Sequence, residues 1–163
     1  MRYRTPSEIT KEEVIKVLER VLGPDRLQIK MEKINIEEDL LGNKTRVQCA
    51  IDVSGKNVEI SSEGVGLIDA LFRGVKTIFS REYYSLEDIS FEDFAISVDP
   101  TSRKTKTGTD VKVFVDMMIA NTERVSQHFT ASSTSFNAAA CEVVLGALQY
   151  YLNCEVAVLK LIE

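Results

Sequence analysis

Few side chains in this chain have the type and spacing to do chemistry. His128 is the only histidine. It shares the Ser126, His128, Thr130 side of an alternating run whose other side carries Phe129 and Ala131. That placement describes a strand surface residue rather than a catalyst. Ser132-Ser133-Thr134-Ser135 is rich in hydroxyls, but no Gly-x-Ser-x-Gly elbow or base accompanies it. Those hydroxyls either cap the following helix, where Ser and Thr are preferred, or touch a ligand. Cys49, Cys141 and Cys154 are too few and too far apart for a disulfide framework or a zinc knuckle. No set of His, Cys and carboxylates has metal-ligand spacing, so neither a metal nor a cofactor is expected. Arg103, Lys104 and Lys106 form a basic cluster without interleaved aromatics. Such a run reads as solvated, not as a surface for RNA. What remains is Gly64-Val65-Gly66, lying between an alternating run, Val58 to Ser61, and a stretch with Ile68, Leu71, Phe72, Val75, Ile78 and Phe79 at three- and four-residue steps. Two glycines at a strand-to-helix junction make either a tight turn or a cradle for a small carboxylate. In the second case the unpaired first amides of the helix would face the anion.

The elements that must position this stretch come in a repeated order. Thr10-Lys11-Glu12-Glu13 fits a capping box, and Val14, Val17, Leu18, Val21 and Leu22 form the stripe of a helix that Gly23-Pro24 ends. That stripe needs a cover, either the main sheet or a partner chain. Leu27, Ile29 and Met31 alternate in a first strand, and 37–44 reads as a loop. Val47, Cys49, Ile51 and Val53 make a second strand, and Val58 to Ser61 a third, before the helix to about Phe79. The order then recurs. Phe94, Ile96 and Val98 alternate, then 111–119 and 125–131, before a helix carrying Phe136, Ala140, Val143, Ala147, Leu148 and Tyr151. Asn153 is expected to end that helix, with Ala157, Leu159 and Leu161 in a final strand. Gly74 and Gly146 inside the helices predict close packing on a sheet. The fold class is therefore α+β, with two βββα units whose antiparallel sheets are backed by helices, plus an N-terminal helix. The expected divisions are an N-terminal helical extension over 1–24 and a domain over 25–163. Within the domain, unit one spans 25–83, unit two 84–153, and the final strand 154–163.

A chain of 163 residues suits one domain with a sizeable core. Net charge is −5, which does not favour nonspecific nucleic-acid binding. No apolar run approaches the ~18 residues of a membrane span, and the first residues have no secretory pattern. A cytoplasmic protein without nucleic-acid or membrane partners is expected.

The run Gly64-Val65-Gly66-Leu67-Ile68-Asp69-Ala70 is similar to the Gly-x-Gly-Pro-Ile/Val-Asp-Ala signature of the C-terminal regulatory domain of 2-isopropylmalate and citramalate synthases. Asp93-Phe94 resembles that domain's Asp-Tyr strand, and Ser135 to Leu148 resembles its second helix. The resemblance extends over roughly Leu27 to Asn153. Val65 and Leu67 stand where the family often has Asn and Pro, Phe94 where it has Tyr, and Asn137 where it has Asp.

The resemblance implies a homodimer that binds a branched-chain amino acid or similar small acid where units and chains meet. By matched position the effector site comprises Gly64, Gly66 and Ile68, then Phe91, Phe94 and Val98, then Phe136 and Ala139. There is no room for the roughly 250-residue catalytic barrel, so a non-enzymatic regulatory domain acting on a separate synthase chain is expected. The alternative is a structural or dimerisation module that has lost its ligand.

Overall fold

Among the described residues, period-two alternation becomes six strands in two separate antiparallel sheets. The computed structural model describes residues 8–102 and 110–163. Helix α1 (Lys11–Leu22) precedes β1 (Ile29–Asp39), β2 (Lys44–Val53), β3 (Lys56–Gly64) and α2 (Leu67–Phe79). A second triplet, β4 (Ser90–Asp99), β5 (Lys112–Ala120) and β6 (Ser126–Ser133), leads into α3 (Phe136–Ile162). The strand orders are β1-β2-β3 and β4-β5-β6, so each sheet is a meander followed by its helix. The expected βββα repeat is the architecture observed. The basic cluster Arg103, Lys104 and Lys106 lies outside the described residues.

One side of each sheet supplies the core. Val47, Cys49 and Ile51 of β2 are buried beneath α2, and Val115, Met117 and Ile119 of β5 are buried on the corresponding face. Helix α2 lies close on β3. A Cβ on Gly74 would stand 2.7 Å from the Ser62 Cβ and 2.8 Å from the Ile60 Cγ2, so glycine sets that approach as expected. Gly146 differs: a Cβ there would meet nothing within 4 Å, and it faces an open groove instead of a sheet.

Both first strands are longer than their alternation suggests, because each contains an irregularity. The register shifts between Met31 and Lys33 in β1 and between Phe91 and Asp93 in β4. A bulge adds one residue and bends the strand. The apolar phase therefore changes from Ile29 and Met31 to Ile34 and Ile36 while the same face stays packed on the core. Residues 37–39, expected in a loop, are the end of β1.

The final strand over 154–163 is not formed; α3 continues through it as one 27-residue helix. Asn153 does not end the helix. It is buried within it, its Oδ1 accepting from Leu27 N at 2.8 Å and its Nδ2 donating to the carbonyls of Leu27 and Gln149 at 2.9 and 3.0 Å. A polar side chain that reads as a stop is instead a buried tie to the chain leading into β1. The extra turns also cover α1. Leu18 and Leu22 pack against Ala157, with Cys154 and Val156 beside them. Burying each leucine contributes roughly 1.5–3 kcal/mol. Leu18 and Leu22 of the α1 stripe are thus covered by the end of α3, while Val17 stays 54% exposed. The capping box is present, with Glu13 N donating to Thr10 Oγ1 at 3.2 Å and Thr10 N to Glu13 Oε2 at 2.9 Å. No helix among the described residues is long and apolar enough to cross a membrane.

Candidate functional site

The two glycines of the junction have opposite roles. At Gly64 a Cβ would stand 2.4 Å from Asp69 Oδ2 and 2.6 Å from the Ala70 backbone nitrogen. Only glycine lets the end of β3 pass this close under the first turn of α2. Asp69 completes the junction, its Oδ2 accepting from Val65 N at 3.0 Å and lying 3.3 Å from Arg73 Nη2. The carboxylate thus has a local structural partner besides its favourable place near a helix start. Gly66 is the N-cap, with φ −170° and ψ 172°, extended backbone open to any residue. A Cβ there would meet nothing within 4 Å. Its contribution is empty space beside the helix start, not an unusual conformation.

That helix start carries no side-chain cap. The other two helices do: Thr10 caps α1, and Ser135 Oγ accepts from Ala138 N at 3.3 Å on α3. Ser135 therefore takes the capping role open to it in the hydroxyl run. The first amides of α2 are left for another acceptor, and they open on a cleft of about 780 Å³.

Both units build this cleft. Strand β1 contributes Ile36 and Glu38, and the start of α2 contributes Val65 to Asp69. Strand β4 contributes Phe91, Phe94 and Ile96, and the start of α3 contributes Phe136 and Asn137. Two helix N-termini therefore border one apolar space. Phe72, Phe91 and Phe94 continue as touching rings from the core into its wall, with centroids 6.1 and 5.8 Å apart. The charged residues of the lining are Glu38 and Asp69, both acidic. Glu38 lies on the inward side of β1, two residues beyond Ile36, paired across the sheet with Thr45, which in turn pairs with Gly64. A row across the sheet thus joins the Glu38 position to the glycine junction.

Of the residues singled out from sequence, Gly66, Ile68, Phe91, Phe94 and Phe136 come together on this cleft. Gly64 lies behind it as the close approach just described. Ala139 is fully buried in the core, and Val98 lies further out on β4, 53% exposed; neither lines the space. Sequence reasoning missed Glu38, Ile36, Ile96 and Asn137 as lining residues. The bulge in β1 hid the first two by breaking the alternation. Ile96 was legible, since it stands between Phe94 and Val98 on one strand face.

The histidine and two of the thiols lie away from the cleft. His128 is exposed, with Nε2 3.1 Å from Asp116 Oδ1, while its backbone carbonyl accepts from the Lys11 ammonium. Burial raises the thiols of Cys141 and Cys154 to about 11. They stay protonated and unreactive at neutral pH.

Residues 8–152 match the family described as the LeuA allosteric (dimerisation) domain. The chain belongs to this family. It is a regulatory and dimerisation domain of LeuA-like synthases, and its repeat of two βββα units is the scaffold on which the cleft is built. A search of curated proteins found no match.

Proposed function

We propose that this domain binds a branched-chain amino acid, or a close aliphatic relative, in the cleft between its two units. The observation that carries this reading is the uncapped start of α2, beside the open space at Gly66, facing an apolar cavity. The ligand carboxylate accepts from the first amides of α2, where the helix dipole also favours negative charge. The aliphatic tail lies against Ile68, Phe91 and Phe94. A pocket of this size and lining suits a small, largely apolar molecule with a few directed polar contacts.

The reading includes a homodimer formed through β4. Phe94, Ile96 and Val98 are 44%, 49% and 53% exposed in a row on that edge strand. A second copy across the row would also close the outer side of the cleft. Binding then regulates a synthase on a separate chain, by favouring one arrangement of units and protomers over another.

Calorimetric titration of leucine, isoleucine and valine into the protein, with thermal melting in parallel, tests this reading. Saturable heat and a raised melting temperature are expected for at least one of them. Gly66→Val, which fills the open space without backbone strain, should remove both while leaving the protein folded. Absence of heat and of any thermal shift with all three would favour the alternative, a dimerisation module without a ligand.

A further inference from the structure

Resting on the reading of the cleft just given, the geometry points to selection by charge: Glu38 holds the ammonium group of the ligand, so the cleft takes a zwitterionic amino acid and rejects the 2-oxo acid of the same skeleton. The strand pattern calls for an apolar residue at this position. Ile34 and Ile36 occupy the preceding inward places of β1, and Glu38 follows them in phase on the wall of the cleft. Among the described residues Glu38 makes no ion pair or side-chain hydrogen bond, so its carboxylate has no structural partner there. Asp69, the other acid of the lining, is already occupied by Val65 N and Arg73. The lining contains no lysine or arginine.

These facts separate ligands that share a tail. An amino acid presents a carboxylate to the amides of α2 and an ammonium to Glu38, and it enters with no net charge. A 2-oxo acid has the same carboxylate and tail but brings net negative charge toward the unpaired Glu38 carboxylate, with no lysine or arginine in the lining. A dicarboxylic acid is disfavoured further. Like charges repel, and the repulsion grows wherever ligand binding displaces water from between them. The helix start alone cannot discriminate, because it recognises the carboxylate that all these ligands have in common. Discrimination falls to Glu38, across the cleft from it.

The test titrates leucine, isoleucine, valine and the 2-oxo acid of each into the parent protein, Glu38→Gln and Glu38→Lys. Glu38 is exposed, so both variants should fold, and melting curves check this. The parent should bind its preferred amino acid at least tenfold tighter than the matching 2-oxo acid. Glu38→Gln should weaken the amino acid at least tenfold and tighten the 2-oxo acid, because the repulsion is relieved. Glu38→Lys should reverse the preference. If both variants keep the parent's affinity for the amino acid, or the parent binds the 2-oxo acid equally well, the role of Glu38 is overturned while the cleft reading stands. If the folded parent binds none of the six compounds, the cleft reading fails and the role of Glu38 with it.

Discussion

Replacing Gly66 by serine should separate the stability of the junction from its capacity to bind. The position has extended backbone and no neighbour within 4 Å of a Cβ, so serine enters without strain. It is also the N-cap of a helix that lacks a side-chain cap. A serine hydroxyl can accept from the second or third helical amide, and at an N-cap serine exceeds glycine by a few tenths of a kcal/mol. Stability in urea should therefore stay level or rise slightly. The same hydroxyl would occupy an amide that the proposed reading gives to the ligand carboxylate. A hydrogen bond to a charged group contributes roughly 1.5–3 kcal/mol, which corresponds to an affinity loss of roughly 10- to 150-fold. Gly64→Ala is the matched control. Its methyl group would stand 2.6 Å from a backbone nitrogen, and overpacking of this kind costs about 1–3 kcal/mol. Calorimetry on both variants, beside urea denaturation, gives the two readouts. A Gly66→Ser protein that is as stable as the parent and binds its amino acid with parental affinity would refute the assignment of the carboxylate to the amides of α2.

Val98→Glu should convert the dimer to monomer, seen by sedimentation at micromolar concentration, with little change in the monomer's own fold, because Val98 is 53% exposed. Asn153→Ala should lower stability by about 2–4 kcal/mol in urea denaturation, since it leaves the Leu27 amide and carbonyl without the partners that Asn153 gives them. Alkaline pH should destabilise the protein through Cys141. Burial raises this thiol from 9.0 to about 11, so the unfolded chain ionises first. Stability should be constant in this respect below pH 9 and fall by up to roughly 3 kcal/mol as pH rises toward the folded-state value. Cys141→Ala should flatten that part of the urea-stability profile.

The fold was largely legible because most of its elements obey simple periods. Val47, Cys49 and Ile51 alternate without interruption, and so do Val113, Val115, Met117 and Ile119; these strands lie where the pattern put them. The failures have physical causes. At Met31/Lys33 an extra residue changes the phase of β1, so strict alternation stops there and hides Ile34, Ile36 and Glu38. Beyond Asn153, the alternation of Ala157, Leu159 and Leu161 imitates a strand. Only the helical spacing of Asn153 and Ala157, both buried on one side, reveals the continuing helix. A buried asparagine with three partners and an exposed one that ends a helix look alike in sequence, because the difference lies in Leu27 and Gln149 and not in Asn153 itself. The glycine pair was recognised as a junction, but its division of labour was not. Which glycine admits a backbone and which leaves open space depends on where α2 lies relative to β3, and spacing along the chain carries no such information.

The continuity of α3 gives the cleft a physical link to the connection between the units. At 1.5 Å per residue, 27 residues span about 40 Å. The helix begins with Phe136 and Asn137 at the cleft. Near its other end Glu155 accepts from the amides of Tyr84 and Ser85, at 3.1 and 2.9 Å, in the segment that joins α2 to β4. Lys160 reaches Asp25, between α1 and β1, at 2.7 Å. A ligand that touches the starts of both α2 and α3 is sensitive to the distance between them. A helix moves as a rod over this length, so a change in that distance at the cleft is also a displacement at the Glu155 contacts. The ligand can drive it only by binding one spacing of the two helix starts more tightly than another. On the proposed reading of the cleft, the decisive contacts for regulation are therefore those that bridge the units, at Gly66, Ile68 and Phe136, and not those a ligand makes within either unit alone.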